Sequence, residues 1–280
     1  ADAGINAGYA IVYECCFTIV KIYPNPTLLD AAADAIARFM TSRSNNVKYL
    51  GVTALAQMVE QHPKYAAQHQ LAVLDCLEDS DETLQRKTLD LLYRMTNPVN
   101  VEFIAAKLIE FITDTSTTDL FLKQVLTTRV CTIAEKYAPN NSWYISTITH
   151  LCQVAGDWVD AGVAQNLMSL LAEGTGESEE ADVQLRQTAI AIYIDLLTQP
   201  DIATMPSILI ETMAWSLGEY AYLSDTTNVT DVLEQLCILA KNYKSFQSDS
   251  AVDEAQKRTR HAIVSAILKL VAQAGTCPPI

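Results

Sequence analysis

The side chains of this 280-residue chain that could do chemistry are four histidines, seven cysteines and several neighbouring carboxylates. His62 and His69 are spaced to share a helical face, but Pro63 interrupts any helix between them. The pair is therefore expected to be exposed at a helix start rather than to hold zinc. Nucleophilic catalysis needs a Ser or Cys beside a base held by a third group, and no nucleophile-elbow or cysteine-protease pattern surrounds any candidate. Glycine-rich phosphate loops are absent as well. Asp81 with Glu82, and Glu179 with Glu180, fall where helices should begin, and there they complement the helix dipole. Glu14 lies within Tyr9-Ala-Ile-Val-Tyr13-Glu14-Cys-Cys-Phe, where a lone carboxylate amid apolar residues is expected to be a hydrogen-bonded structural anchor. These readings predict no catalytic, cofactor-binding or metal-binding residue, no cofactor, and no enzymatic activity.

The cysteines, at positions 15, 16, 76, 131, 152, 237 and 277, are odd in number, scattered and mostly flanked by apolar residues. That pattern predicts reduced, buried thiols in the cytosol. The sequons at Asn140 and Asn228 would then go unused. The chain begins at Ala1 and enters an apolar-periodic segment without the features of a secretory signal, which reads as a piece of a longer protein.

Nineteen Lys and Arg stand against 33 Asp and Glu, a net charge of −14. Nucleic acids and anionic bilayers gain affinity from clustered cations, so direct binding to either is disfavoured. Half the residues are apolar, with nine Gly and nine Pro, which excludes a disordered or collagen-like chain.

The elements that position these side chains are helices. Leu84, Thr88, Leu91, Leu92 and Met95 form one stripe of 3.6-residue period; Leu185, Ala189, Ile192, Tyr193 and Leu196 form another. Punctuation such as Pro24-Asn25-Pro26, Pro63 and Pro98 cuts the pattern into about thirteen helices. These lie near residues 6–23, 27–42, 45–61, 64–78, 80–96, 98–113, 117–138, 141–155, 159–173, 182–198, 203–223, 227–243 and 250–273. Asp79 and Glu82 suggest a capping box for the fifth. Val47–Leu55 aligns in polarity with Leu84–Leu92 at an offset within the range of HEAT and armadillo units. The expected fold is all-α: a right-handed α-solenoid of HEAT/armadillo-like helix pairs, a single elongated array over residues 1–280. Gly174-Thr-Gly-Glu-Ser-Glu-Glu180, in the link 174–181, reads as an acidic, solvated loop tip rather than a domain boundary.

Within one apolar helix stands Trp215-Ser-Leu-Gly218-Glu219-Tyr220. Glycine in a helix interior costs about 1 kcal/mol relative to alanine. Gly218 therefore predicts a second helix packed too closely for a side chain, with Trp215 and Tyr220 flanking the contact. This segment resembles the Trp-x-Leu-Gly-Glu-Tyr signature of the trunk of large adaptins, the long chains of heterotetrameric vesicle-coat adaptor complexes. Asn6-Ala-Gly8-Tyr-Ala-Ile-Val-Tyr13-Glu14-Cys, Asp75-Cys76-Leu77-Glu78-Asp79 and Ala134-Glu-Lys-Tyr137-Ala-Pro139-Asn-Asn-Ser-Trp143 resemble further family stations in the same order. Tyr23-Pro-Asn-Pro26, Leu29–Ala37 and His69–Leu77 look most like the epsilon large chain of the fourth adaptor complex, with the gamma chain of the first complex as runner-up.

The resemblance implies the middle and C-terminal trunk of a large adaptin, a scaffold in vesicle-mediated intracellular protein transport that sorts cargo at the trans-Golgi network. It implies a beta-type large chain, a medium chain and a small chain as partners, with an Arf-type small GTPase and cargo tails reached through the complex. It also implies cytoplasmic localisation, peripheral on trans-Golgi or endosomal membranes, with membrane contact indirect. The main rival is a nuclear-transport armadillo receptor, a class marked by Trp-x-x-x-Asn ladders. Here the fourth position after Trp143, Trp158 and Trp215 is Thr147, Gly162 and Glu219, so the ladder is missing.

The densest basic run, Lys257-Arg258-Thr259-Arg260, follows Asp253 and Glu254 closely and is expected to be a solvated helix face. A juxtamembrane cation contributes about 1 kcal/mol at an anionic surface, and the same field repels the chain's carboxylates. The chain is predicted not to sediment with liposomes rich in phosphatidylserine or phosphoinositide, even at low salt. Salt-sensitive co-pelleting, abolished by neutralising Lys257, Arg258 and Arg260, would contradict this.

Overall fold

A computed structural model describes residues 2–22, 24–114, 119–243 and 254–275; Tyr23, Asp253 and Cys277 lie outside them. Among the described residues every regular element is helical, as the periodicity predicts. The chain divides into two compact units, Ala1–Ile104 and Ala105–Ile280. The first contains α1 (Asp2–Lys21), α2 (Pro26–Met40), α3 (Asn45–Gln61), α4 (Tyr65–Gln68), α5 (Gln70–Leu77), α6 (Glu82–Arg94) and the start of α7 (Val101–Thr113). The second contains the rest of α7, then α8 (Leu120–Tyr137), α9 (Asn141–Ala155), α10 (Ala161–Glu173), α11 (Glu179–Leu197), α12 (Ser207–Tyr220), α13 (Val229–Asn242) and α14 (Glu254–Ala274). The acidic link 174–181 lies within this second unit.

Side-chain caps set the starts of six helices, α2, α6 and α8 to α11. Asn25 accepts a hydrogen bond from Leu28 N–H at 3.3 Å, just ahead of Pro26, whose ring suits the first helical position. Asp119, Asn140, Asp160 and Ser178 cap α8, α9, α10 and α11 in the same way. The fifth predicted helix departs from expectation. Its N-cap is Asp81, which accepts from Leu84 N–H at 2.9 Å, and not Asp79. Asp79 is drawn away by Lys48 of α3, whose ammonium it meets at 2.5 Å, while its other oxygen accepts from Asp81 N–H at 3.1 Å. The predicted helix 64–78 is likewise broken into α4 and α5 at His69, where the backbone takes φ −111° and ψ 7°.

Within each unit the principal packings join a helix to its sequence neighbour or to the next but one, with α4 and α5 counted as one. Neighbours such as α2 and α3, joined by residues 41–44, must run antiparallel, because so short a link permits side-by-side packing only after a reversal. Alternate helices run parallel, as their bonds show. Tyr65 Oη donates to Asp30 of α2 at 2.6 Å, and Cys76 Sγ to Met40 O of α2 at 3.7 Å. Residue numbers rise together on both sides, separated by 35 and 36. Between α3 and the α6 region the Lys48–Asp79 and Glu60–Arg94 pairs are separated by 31 and 34. A repeat of two antiparallel helices stacked in register on the next produces this pattern, in which almost all tertiary contact is local in sequence.

The core is the sum of the predicted stripes. Leu84, Thr88, Leu91, Leu92 and Met95 are all buried, as are Leu185, Ala189, Tyr193 and Leu196, while Ile192 is half-buried. Glu14 corrects the expectation of a buried anchor. It lies on the exposed side of α1 beside exposed Ile11, Val12 and Cys15, so water solvates its carboxylate. The residues that flank it in sequence point around the helix rather than towards it.

The Lys48 ammonium and two backbone N–H groups hold the Asp79 carboxyl below the usual aspartate range, and the same contact holds the Lys48 ammonium above its own. A depressed folded pKa contributes stability above the ordinary aspartate pKa and loses it as pH falls through the folded value. Asp79→Asn should therefore lower the thermal midpoint at pH 7 by about 2 °C, and the two proteins should converge as acid protonates Asp79. Thermal melts from pH 7 to pH 2 measure both effects.

Candidate functional site

The sequence features that could carry function converge on α12 and the helices around it. Gly218 is buried on α12, and a methyl group built there would lie 2.8 Å from Cα and 3.0 Å from Cβ of Ala266 on α14. This is the close helix approach that an interior glycine predicts, and it leaves no room for any side chain. Gln273 Nε2 of α14 donates to Gly218 O at 3.3 Å across the same contact. Polar pairs stand on both sides of it. Thr259 Oγ1 donates to Glu211 Oε1 at 2.7 Å, and Lys269 Nζ pairs with the Glu219 carboxylate. Their separations of 48 and 50 residues make α12 and α14 parallel, the relation found between alternate helices of the first unit.

Of the other residues of the segment, Trp215 stands beside α14 and Met168 of α10, whereas Tyr220 meets α11. Trp215 and Tyr220 meet edge to face with ring centroids 6.0 Å apart. Above the Tyr220 ring, at 5.1 Å from its centroid, lies the guanidinium of Arg186 on α11. That guanidinium also donates to Leu171 O at 2.8 Å and Ala172 O at 3.0 Å, satisfying carbonyls at the end of α10. Arg186, Ala266 and Lys269 carry no motif of their own. The only sequence signal of a partner for Gly218 was the anomaly of the glycine itself.

The acidic link behind α10 is tied rather than loose. Gly174 closes α10 with φ +83°, a conformation that side chains disfavour, and a methyl group there would strike the Asp182 carboxylate. Asp182 accepts from Thr175 N–H at 2.6 Å and from its hydroxyl at 2.9 Å, and these bonds hold the carboxyl below its usual range. Glu177, Glu179 and Glu180 remain exposed, as a solvated tip requires.

The candidate chemistry is dispersed. His69 is buried, which corrects the expected exposed pair, and His62 is half-buried. Burial holds the His69 imidazole below its ordinary range against the opposing pull of Asp34. Among the described residues no three His, Cys, Asp or Glu side chains cluster as metal ligands. Cys16, Cys76, Cys131 and Cys152 are buried, whereas Cys15 is exposed and Cys237 half-buried. Burial pushes the Cys76 thiol up to about 11 and those of Cys131 and Cys152 up to about 12, so they carry almost no thiolate at neutral pH. No described helix is long and apolar enough to cross a membrane.

One concavity accompanies the α12–α14 contact. It is a groove of about 580 Å³ between these helices and Met168 of α10. The predicted basic run borders it only in part. Lys257 and Arg258 line the groove and are exposed, Thr259 is buried beneath them, and Arg260 is half-buried.

Gly218→Leu should destabilise the protein by about 3 kcal/mol, because the added side chain collides with α14 backbone and not with a flexible tip. Gly218→Ala should cost less but remain measurable. Denaturant unfolding checks both, and a wild-type midpoint for the leucine variant would refute the close-contact account.

The family described as the adaptin N terminal region matches residues 3–277. The AP-4 complex subunit epsilon of Arabidopsis thaliana is 41% identical over 97% of this chain and 27% of its own length. The AP-4 complex subunit epsilon-1 of Homo sapiens is 36% identical over 98% of this chain and 23% of its own length. The AP-1 complex subunit gamma-2 of Arabidopsis thaliana is 30% identical over 97% and 29%. The chain thus spans about a quarter of the length of these relatives. A homology model of the full-length AP-3 complex in an intermediate open conformation shares the fold, with a TM-score of 0.61 over 94% of this chain and 47% of that chain at 15% identity. With the trunk signature accounted for as helix packing and the family match running almost end to end, this chain belongs to the adaptin N terminal family.

Proposed function

We propose that the chain is a scaffold segment from the large subunit of a heterotetrameric adaptor complex in vesicle-mediated protein transport. The family match over residues 3–277, with AP-4 epsilon relatives at 36–41% identity, carries this reading. Its partners are then a beta-type large chain, a medium chain and a small chain. Cargo tails and an Arf-type GTPase act through the assembled complex at trans-Golgi or endosomal membranes. The stacked helices of each unit suit such a role, since their packing rests on contacts that are local in sequence.

The chain is proposed to be non-catalytic. Supporting this, its buried thiols are held protonated and its histidines lie apart from one another in sequence. The nuclear-transport reading is disfavoured by a specific contact. The position four residues after Trp215 is Glu219, engaged in an ion pair with Lys269, where a ladder would present an asparagine amide.

Co-expression of the full-length protein with tagged beta-type, medium and small chains tests the proposal. Co-elution of all four in equal amounts is expected. Exclusion of this subunit from an otherwise assembled set would overturn it.

A further inference from the structure

We propose that His69 is a pH-sensitive latch, which holds the α4–α5 segment against α2 while its imidazole is neutral and releases that segment when the ring gains a proton. The inference goes beyond the scaffold reading and does not depend on it.

The latch sits at a break. A continuous helix through this segment would bond His69 N–H to Tyr65 O. Here that N–H reaches Ala66 O instead, at 3.4 Å, and α5 starts afresh at Gln70. The break turns the His69 side chain inward, to 9% exposure, in a segment whose Tyr65, Ala66, Val73 and Cys76 are likewise buried. Its Nε2 is sealed from solvent and meets no hydrogen-bond partner among the described residues. A neutral ring can leave that nitrogen as a bare acceptor. The imidazolium cannot, because both of its nitrogens carry a proton, and a buried charged donor without an acceptor costs more than an unmet lone pair. The site therefore selects the neutral ring. Two bonds tie the segment to α2 on either side of the break, Tyr65 Oη to Asp30 and Cys76 Sγ to Met40 O. With four and eight residues, α4 and α5 are too short to persist without such contacts, so a charge at the break loosens both.

The surroundings do little to hold a proton on the ring. Helices α2, α3 and α6 pack against the segment. On α2, Asp30 is engaged by Tyr65, and Asp34 is the charge that acts on the imidazole. Asp34 is exposed, so water screens it, and burial outweighs it and holds the imidazole below its ordinary 6.5. On α3, Lys48 is paired with Asp79 and Glu60 with Arg94, while His62 closes the helix. On α6, Glu82 stands near Arg86 and Asp90 near Arg94. Because the folded value lies below the unfolded one, the neutral ring's contribution is fully present above pH 6.5 and is lost as pH falls from there towards the folded value. From pH 7.5 to pH 5.5, a histidine that takes up its proton only when released raises the opening constant by at most about tenfold.

The test is hydrogen exchange of the full chain, read by mass spectrometry at pH 7.5, 6.5 and 5.5 and corrected for the intrinsic exchange rate at each pH. Opening constants of the amides of α4 and α5 should rise about three- to tenfold from pH 7.5 to pH 5.5, while those of α12 stay within about twofold. His69→Leu fills the site with an apolar side chain and His69→Gln with a polar one. Neither titrates, and both should lose the rise. Asp34→Asn and His62→Gln should keep it, because the proton is taken up by His69 itself. No rise in the wild type, an equal rise in α12, the same rise in either His69 variant, or loss of the rise in Asp34→Asn or His62→Gln would each overturn the proposal. None of these outcomes bears on subunit co-elution, so the latch and the scaffold reading fail separately.

Discussion

Gly218 has no side chain because α14 leaves no space for one: a methyl group at that position would sit 2.8 Å from the Cα of Ala266. Two parallel helices that touch backbone to backbone at one point have little freedom to slide, since any shift brings a larger residue to the contact. One turn earlier on α12 stands half-buried Trp215, which lines the groove beside the contact.

The polar pairs around this contact set register more than they add stability. Glu219 and Lys269 are 37% and 40% exposed, and pairs of that kind contribute about 0.2–1 kcal/mol. Overpacking the contact itself costs about 1–3 kcal/mol. The steric constraint therefore outweighs the ion pair, which together with the Thr259–Glu211 bond selects which of the sterically compatible registers is adopted. Arg186 extends the arrangement to α10 and α11, because one guanidinium both closes the end of α10 and stacks on Tyr220. In this light the Trp215–Tyr220 segment is packing machinery: a half-buried tryptophan, a buried leucine, a contact point, an ion-pair partner and a stacking platform.

Features satisfied within one or two helical turns were legible from sequence alone. The 3.6-residue stripes, the proline-marked links and the dipole-complementing Glu179 and Glu180 depend on bonds that close within a few residues, so the local order of side chains decides them. Gly218 was legible for a different reason, since a residue that costs a helix about 1 kcal/mol calls for a compensating contact somewhere. What tertiary structure alone decided is everything that pairs across repeats. Asp79 looks like a cap until Lys48, 31 residues earlier, claims it. Glu14 looks buried among its sequence neighbours until the helix turns it outward, and His69 looks exposed until the break at its own backbone turns it inward. Ala266, Lys269 and Arg186 become partners of the Trp215–Tyr220 segment only once the helices stack. The physical reason is that a helix determines its own hydrogen bonds but not which of its faces meets which neighbour; that choice belongs to side-chain volumes brought together from distant parts of the chain.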